Sequence, residues 1–124
     1  LGGISHDIIP YVINAYDVCI APFTSWRHKK LGLSPLKLFE YLSCGKPVIA
    51  SVVPGTELVE KLNAGILVKP DNIEALKHAY SEAIQNAQKW DRRASTIHAE
   101  IAARYSWDKI VEYTLKAITE NLNG

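Results

Sequence analysis

Three short runs of wholly apolar residues do most to limit what this chain can fold into: Val18-Cys19-Ile20-Ala21, Val48-Ile49-Ala50 and Ile66-Leu67-Val68. A strand that is apolar at every position, and not at alternate ones, is buried on both faces, as in parallel sheets covered by helices. Between the runs lie segments long enough for the helical crossovers that parallel strands require. The predicted order is helix, strand, helix, strand, helix, strand, then three helices, which is an α/β fold with a short parallel sheet of three or four strands. Ligands bind such sheets beyond the carboxyl ends of the strands. Three places meet that condition: the turn around Gly2-Gly3-Ile4, the loop 23–32 leading into Ser34, and the turn 52–56.

The helix between the first two strands carries the chemistry. Ser34 is a good N-cap, Pro35 suits the first helical position, Gly45 suits the left-handed residue past the last turn, and Pro47 forbids continuation. Lys37 breaks the pattern, because a cation in the first turn opposes the helix dipole. A bound anion would remove the conflict, since a helix N-terminus is itself an anion site. Glu40 shares a face with Lys37. The spacing on its own favours a solvated surface pair, and it also fits a grip on a phosphate and a neighbouring hydroxyl. The run Arg27-His28-Lys29-Lys30 leads into that helix start, either as a solvated loop or as an attractor of anions.

The other helices follow from caps and stripes. Ser5 caps a helix over 6–15, with Pro10 in its first turn or shortening it. Thr56 caps a short helix ending at Asn63-Ala64-Gly65, and Asp71 to Glu74 has capping-box spacing. Ile73, Leu76, Tyr80, Ile84 and Ala87 form one apolar stripe, and Trp90, Ala94, Ile97, Ile101 and Tyr105 a second. Ser106 caps a last helix expected to bury Val111, Leu115, Ile118 and Leu122. Residues 73–124 thus read as a helical tail on a single partial domain spanning 1–124.

Composition narrows the partners. A net charge of +1 argues against nucleic acid, which calls for a clear basic excess. The four histidines are scattered and lack zinc-ligand spacing, so neither a metal nor another cofactor is expected. Cys19 and Cys44 fit reduced thiols of a cytoplasmic protein. The chain has no methionine and begins at Leu1-Gly2-Gly3, which suggests a piece of a longer protein. A receiver-like signalling domain is disfavoured, because Asp17 precedes its strand and lies at the wrong end for that chemistry.

The stretch Ser34-Pro35-Leu36-Lys37-Leu38-Phe39-Glu40-Tyr41-Leu42, with Gly45-Lys46-Pro47-Val48-Ile49-Ala50-Ser51, resembles the donor-binding signature of family 4 retaining glycosyltransferases. Flanks around Gly2-x-Ile4, Tyr16-Asp17-Val18, Ala21-Pro22 and Ala64-Gly65-Ile66-Leu67-Val68 are similar to neighbouring family segments. The resemblance implies the second half of the C-terminal, Rossmann-like domain of a GT-B enzyme. It further implies that Glu40 holds the nucleotide ribose, and that Leu36 and Lys37 face the diphosphate at the helix start opened by Ser34. Ile4 and His6 would then line the nucleobase, largely through the main chain. The donor would be a UDP- or GDP-sugar, the product a cell-surface polysaccharide or glycolipid, and no catalytic residue falls in this piece. The parent enzyme would be cytoplasmic or held peripherally at the inner membrane face.

Two departures qualify the resemblance. The first glutamate of the E-x7-E signature falls at Gly32, and Pro35 offers no N–H. The alternative reading is therefore a non-catalytic nucleotide-binding or scaffold module. Either way, the missing N-terminal part should leave a sheet edge or apolar face exposed and capable of self-association.

Overall fold

A computed structural model describes residues 3–26 and 35–122. Among them three strands form one parallel sheet in the order β1-β2-β3, with β1 at Cys19–Ala21, β2 at Val48–Ser51 and β3 at Gly65–Val68. Cys19 pairs with Val48 and Val48 with Gly65, which aligns the rest of the register. The pleat then divides the side chains. Val48, Ala50, Cys19 and Ala21 enter one core, and Ile49, Ile66 and Val68 enter the other. The central strand β2 is buried at all four positions, as a run apolar throughout demands.

The larger core is covered by α1 (Ile9–Asn14), α2 (Leu36–Ser43), α3 (Glu57–Lys61) and, further on, α5 (Ala87–Tyr105). Ile13, Leu38, Leu42, Leu58, Val59, Ile97 and Ile101 fill it. The opposite face is covered by α4 (Ile73–Gln85). Helix, sheet and helix therefore make the three layers expected of a Rossmann-like half-domain.

Several local expectations hold. Helix α2 ends in a Schellman motif: the Gly45 amide donates to the Leu42 carbonyl at 2.9 Å and that of Lys46 to Tyr41 at 3.0 Å, with Gly45 at φ +70°. Pro10 lies in the first turn of α1, and residues 6–8 tighten into a 3₁₀ turn before it. Trp90, Ile97 and Ile101 of α5 are buried, and Tyr105 packs on Phe39 with ring centroids 5.4 Å apart.

Other expectations are corrected. Helix α2 starts one residue late, at Leu36, with Pro35 in the N-cap position; Ser34 and Gly32 lie outside the described residues. The Ser5 hydroxyl bonds the Asp7 side chain and does not cap the backbone. The Thr56 side chain likewise makes no helix cap, reaching instead to the carbonyls of Ser51 and Val53 at 2.9 and 2.7 Å. Asn63, at φ +46°, takes the left-handed position after α3, so Gly65 is free to begin β3. Asn72 and not Asp71 caps α4, accepting from the Ala75 amide at 2.9 Å.

The stripe on α4 is also different. Ile73, Tyr80 and Ile84 are exposed, whereas Ala79 and Ala83 are buried against Ile49 and Val68. Small side chains let the helix backbone come close to the sheet, and that approach decides which face is covered. The final helix, α6 (Trp107–Leu122), buries none of its residues: Val111, Leu115, Ile118 and Leu122 face solvent. The expectation that these four residues are buried is therefore corrected, because no other element of the described residues covers that side of α6. The outer edge of β1 also pairs with no strand among the described residues.

Tail and body are fastened at carbonyls. Arg93 donates from Nη2 to Leu62 O at 2.9 Å and from Nε to Asn63 O at 3.2 Å, neutralising the end of α3. His98 Nδ1 meets Ser43 O at 2.5 Å at the end of α2.

Both cysteines are free thiols. Burial pushes the Cys19 thiol up from its ordinary 9.0 to about 11, an effect that nearby Lys46 partly offsets. The folded protein therefore holds this proton after the unfolded chain has released it. Stability present below pH 9 is expected to fall as the pH rises through 11. In urea titrations the midpoint should decline across that window, and Cys44 should react with iodoacetamide well before Cys19.

Candidate functional site

The carboxyl ends of the three strands are laced together by bonds between residues distant in sequence. The Phe23 amide, just past β1, donates to Ser51 Oγ at the end of β2 at 2.9 Å. Beyond it, the Ser25 amide and hydroxyl donate to Asp71 Oδ2, past β3, at 3.0 and 2.5 Å. The Ser25 hydroxyl holds the Asp71 carboxyl below the usual carboxylate range. Asp71 adopts φ +58°, a conformation that aspartate tolerates better than most residues. A cavity of about 500 Å³ lies under these loops, bordered by Phe23, Ser51, Asp71 and Leu76.

Helix α2 begins on this same side, since it follows β1 and leads back to β2. Its first amides have no acceptor within the helix, and Leu36 at the first position is exposed. Lys37 follows, its Nζ 5.5 Å from the centre of the Phe23 ring. That contact holds the ammonium over an aromatic face at the helix start and eases its conflict with the dipole. One turn on, Glu40 Oε1 lies 3.9 Å from His6 Nε2, both side chains being substantially open to solvent. Ile4, two residues before His6, is also exposed.

The structure thus brings Glu40 to His6, with Leu36 and Lys37 one turn earlier on the same helix; Ile4 is exposed two residues before His6. Ser34, expected to open this helix, is outside the described residues. Phe23 and Ser25 fall in the loop expected to border the site, but their pairing with Ser51 and Asp71 was not expected. Their pairings span 28 and 46 positions, and no local pattern announces them. On the other side of Glu40 a groove of about 370 Å³ runs between α1 and the open edge of β1, lined by Ile9, Ile13, Cys19 and Tyr41.

Among the described residues the cluster offers the first amides of α2 and the Lys37 ammonium at a helix N-terminus, with a carboxylate and an imidazole a turn away. The first pair suits an anion, the second a hydroxyl-bearing group next to it.

Residues 1–86 match the family model described as Glycosyl transferases group 1. The chain is similar to the 2-deoxystreptamine N-acetyl-D-glucosaminyltransferase of Streptomyces fradiae, with 29% identity over 110 residues, covering 88% of this chain and 25% of that protein. It is also similar to a Bacillus subtilis (strain 168) protein, TuaH, named for a glycosyltransferase of teichuronic acid biosynthesis. That match has 26% identity over 110 residues and covers 86% of this chain and 27% of that protein. The chain therefore spans about a quarter of the length of these relatives. No solved structure matches it.

Proposed function

Given that the chain belongs to the group 1 glycosyltransferases, we propose that it forms the donor side of an enzyme transferring a sugar from a nucleoside diphosphate. The acceptor in this reading is a saccharide or a lipid-linked saccharide, in synthesis of a cell-surface polysaccharide or glycolipid on the cytoplasmic side of the membrane. The observation that carries it is the convergence of Lys37 and the open amides of α2 with Glu40 and His6 at the carboxyl end of the sheet.

In this arrangement the diphosphate rests on the N-terminus of α2. The amides of Leu36 and Lys37 and the Lys37 ammonium meet its oxygens. As the sugar departs, negative charge grows on the diphosphate, and donors already aimed at it stabilise that growth. Glu40, accepting from hydroxyls, fixes the ribose, and Ile4 borders the base. The remainder of the parent enzyme supplies the acceptor, so transfer by this piece alone is not expected. Until that remainder is present, the open edge of β1 is available for self-association. Among the described residues no helix is long and apolar enough to cross a membrane.

The test is a binding titration of the chain with UDP-, GDP- and ADP-sugars by ligand-observed NMR. Replacing Glu40 with alanine removes hydrogen bonds to a charged group worth about 1.5–3 kcal/mol, so affinity should fall roughly 10- to 100-fold. Lys37→Ala should weaken nucleoside diphosphates while sparing the nucleoside. Indifference to both substitutions would exclude this site. Absence of any nucleotide binding would favour a module that keeps the fold without the chemistry.

A further inference from the structure

Resting on the donor-site reading, we propose that His6 acts through its side chain as a second hydroxyl-binding residue. With Glu40 it would make a two-sided clamp that selects ribose over deoxyribose.

A gap separates the His6 and Glu40 side chains. His6 Nε2 and Glu40 Oε1 are 3.9 Å apart, beyond hydrogen-bond reach, and both side chains are open to solvent. One oxygen can sit within hydrogen-bond distance of both. The two walls of the gap differ in kind. A carboxylate only accepts, whereas a neutral imidazole with its proton on Nε2 donates there. A hydroxyl satisfies both walls at once, donating to Glu40 and accepting from His6. A phosphate oxygen cannot, because it has no proton for the carboxylate. With the proton on Nε2 an ammonium cannot either, because it has no lone pair to accept it.

The chain also holds the two walls in place. His6 opens the 3₁₀ turn, which is closed by the Ile8 amide donating to Ser5 O at 3.1 Å. Glu40 sits in the middle of α2, one turn from Lys37 and anchored by the buried Leu38 and Leu42. The neighbouring carboxylate, Asp7, is engaged by the Ser5 hydroxyl, which keeps its carboxyl below the usual range. His6 also acts on Asp7 through its charge, but the carboxylate within 4 Å of its Nε2 is Glu40. Lys37 lies on the amino-terminal side of Glu40, so a ligand with phosphate on the helix end presents its adjoining sugar to the clamp.

Calorimetric titration of the chain with UDP and GDP and their 2′-deoxy and 3′-deoxy forms tests the clamp. The unsubstituted chain should prefer at least one ribonucleotide over a deoxy form by about tenfold. His6→Ala should shrink that preference several-fold, and His6→Gln, whose amide nitrogen can stand in for Nε2–H, should restore part of it. The His6 side chain is almost fully exposed, so these variants should keep the fold, and their amide NMR spectra will verify that. If Glu40→Gln loses the preference while His6→Ala retains it in full, the clamp is overturned and the donor site stands. If no nucleotide binds the unsubstituted chain, the donor-site reading fails and the clamp with it.

Discussion

Gly65→Ala should unfold the sheet or come close to it. Gly65 begins β3 opposite Val48, at φ +154°, where side chains other than glycine's are rarely accommodated. A methyl group there would fall inside the contact distance of the Val48 carbonyl oxygen and lie 2.7 Å from the Val48 amide nitrogen. Both obstacles are backbone of the central strand, so no rotamer change can relieve the clash. Either β3 moves off β2 or Gly65 abandons its conformation, and each breaks the pairing that carries the Ile66 and Val68 side chains into their core. The loss should be about 3 kcal/mol or more, against a total of roughly 5–15 kcal/mol for an ordinary domain. Circular-dichroism melting measures it, with Gly3→Ala as the control because nothing lies within 4 Å of that position. Superimposable melts for the two variants would overturn the assignment of β3 to this register.

Leu38→Ala should cost about 2–5 kcal/mol, the range for emptying a leucine site in a packed core. Leu38 is fully buried and lies between Lys37 and Glu40 in sequence, so it fastens the helix that bears both. The consequence should be double. Urea unfolding should show a lower midpoint with an unchanged slope, and nucleotide affinity should fall although no atom of Leu38 touches the ligand. Leu38→Met, which keeps the volume, should lose less than about 1.5 kcal/mol and leave binding nearly intact. If alanine lowers stability while binding persists unaltered, α2 is held in place by other contacts.

What the sequence revealed follows the range of the interactions involved. The apolar runs, Gly45 and Pro47 specify structure within a few residues of themselves, and β2 and the end of α2 appear where those signals place them. Start signals were less decisive. Asp71 and Asn72 both suit a cap, and the choice went to Asn72 because Ser25, far away in sequence, engages Asp71. Hydrophobic periodicity on α4 placed Leu76 against the sheet but missed its neighbours for a related reason. It favoured the large residues Ile73, Tyr80 and Ile84, while the sheet accepted the side bearing Ala79 and Ala83. On α6 the stripe was read correctly, but the assumption that it is covered within this chain was not. The site residues came from the family signature. The approach of His6 to Glu40 joins two segments 34 positions apart, which no spacing rule connects.

The unequal padding of the sheet has a consequence for how such a chain can drift through sequence space. On the side of Leu38, Leu42 and Ile97, the damaging changes are losses of volume, and many enlargements meet neighbours that can shift rotamers. On the side of Ala79 and Ala83 the direction is reversed. There is little left to remove, and any added methylene pushes a whole helix away from Ile49 and Val68. Descendants of this sequence can therefore exchange one large aliphatic residue for another on the first face over many generations. At positions 79 and 83 on the second face they are confined to glycine, alanine and serine, so these alanines should outlast the leucines opposite as a mark of common ancestry.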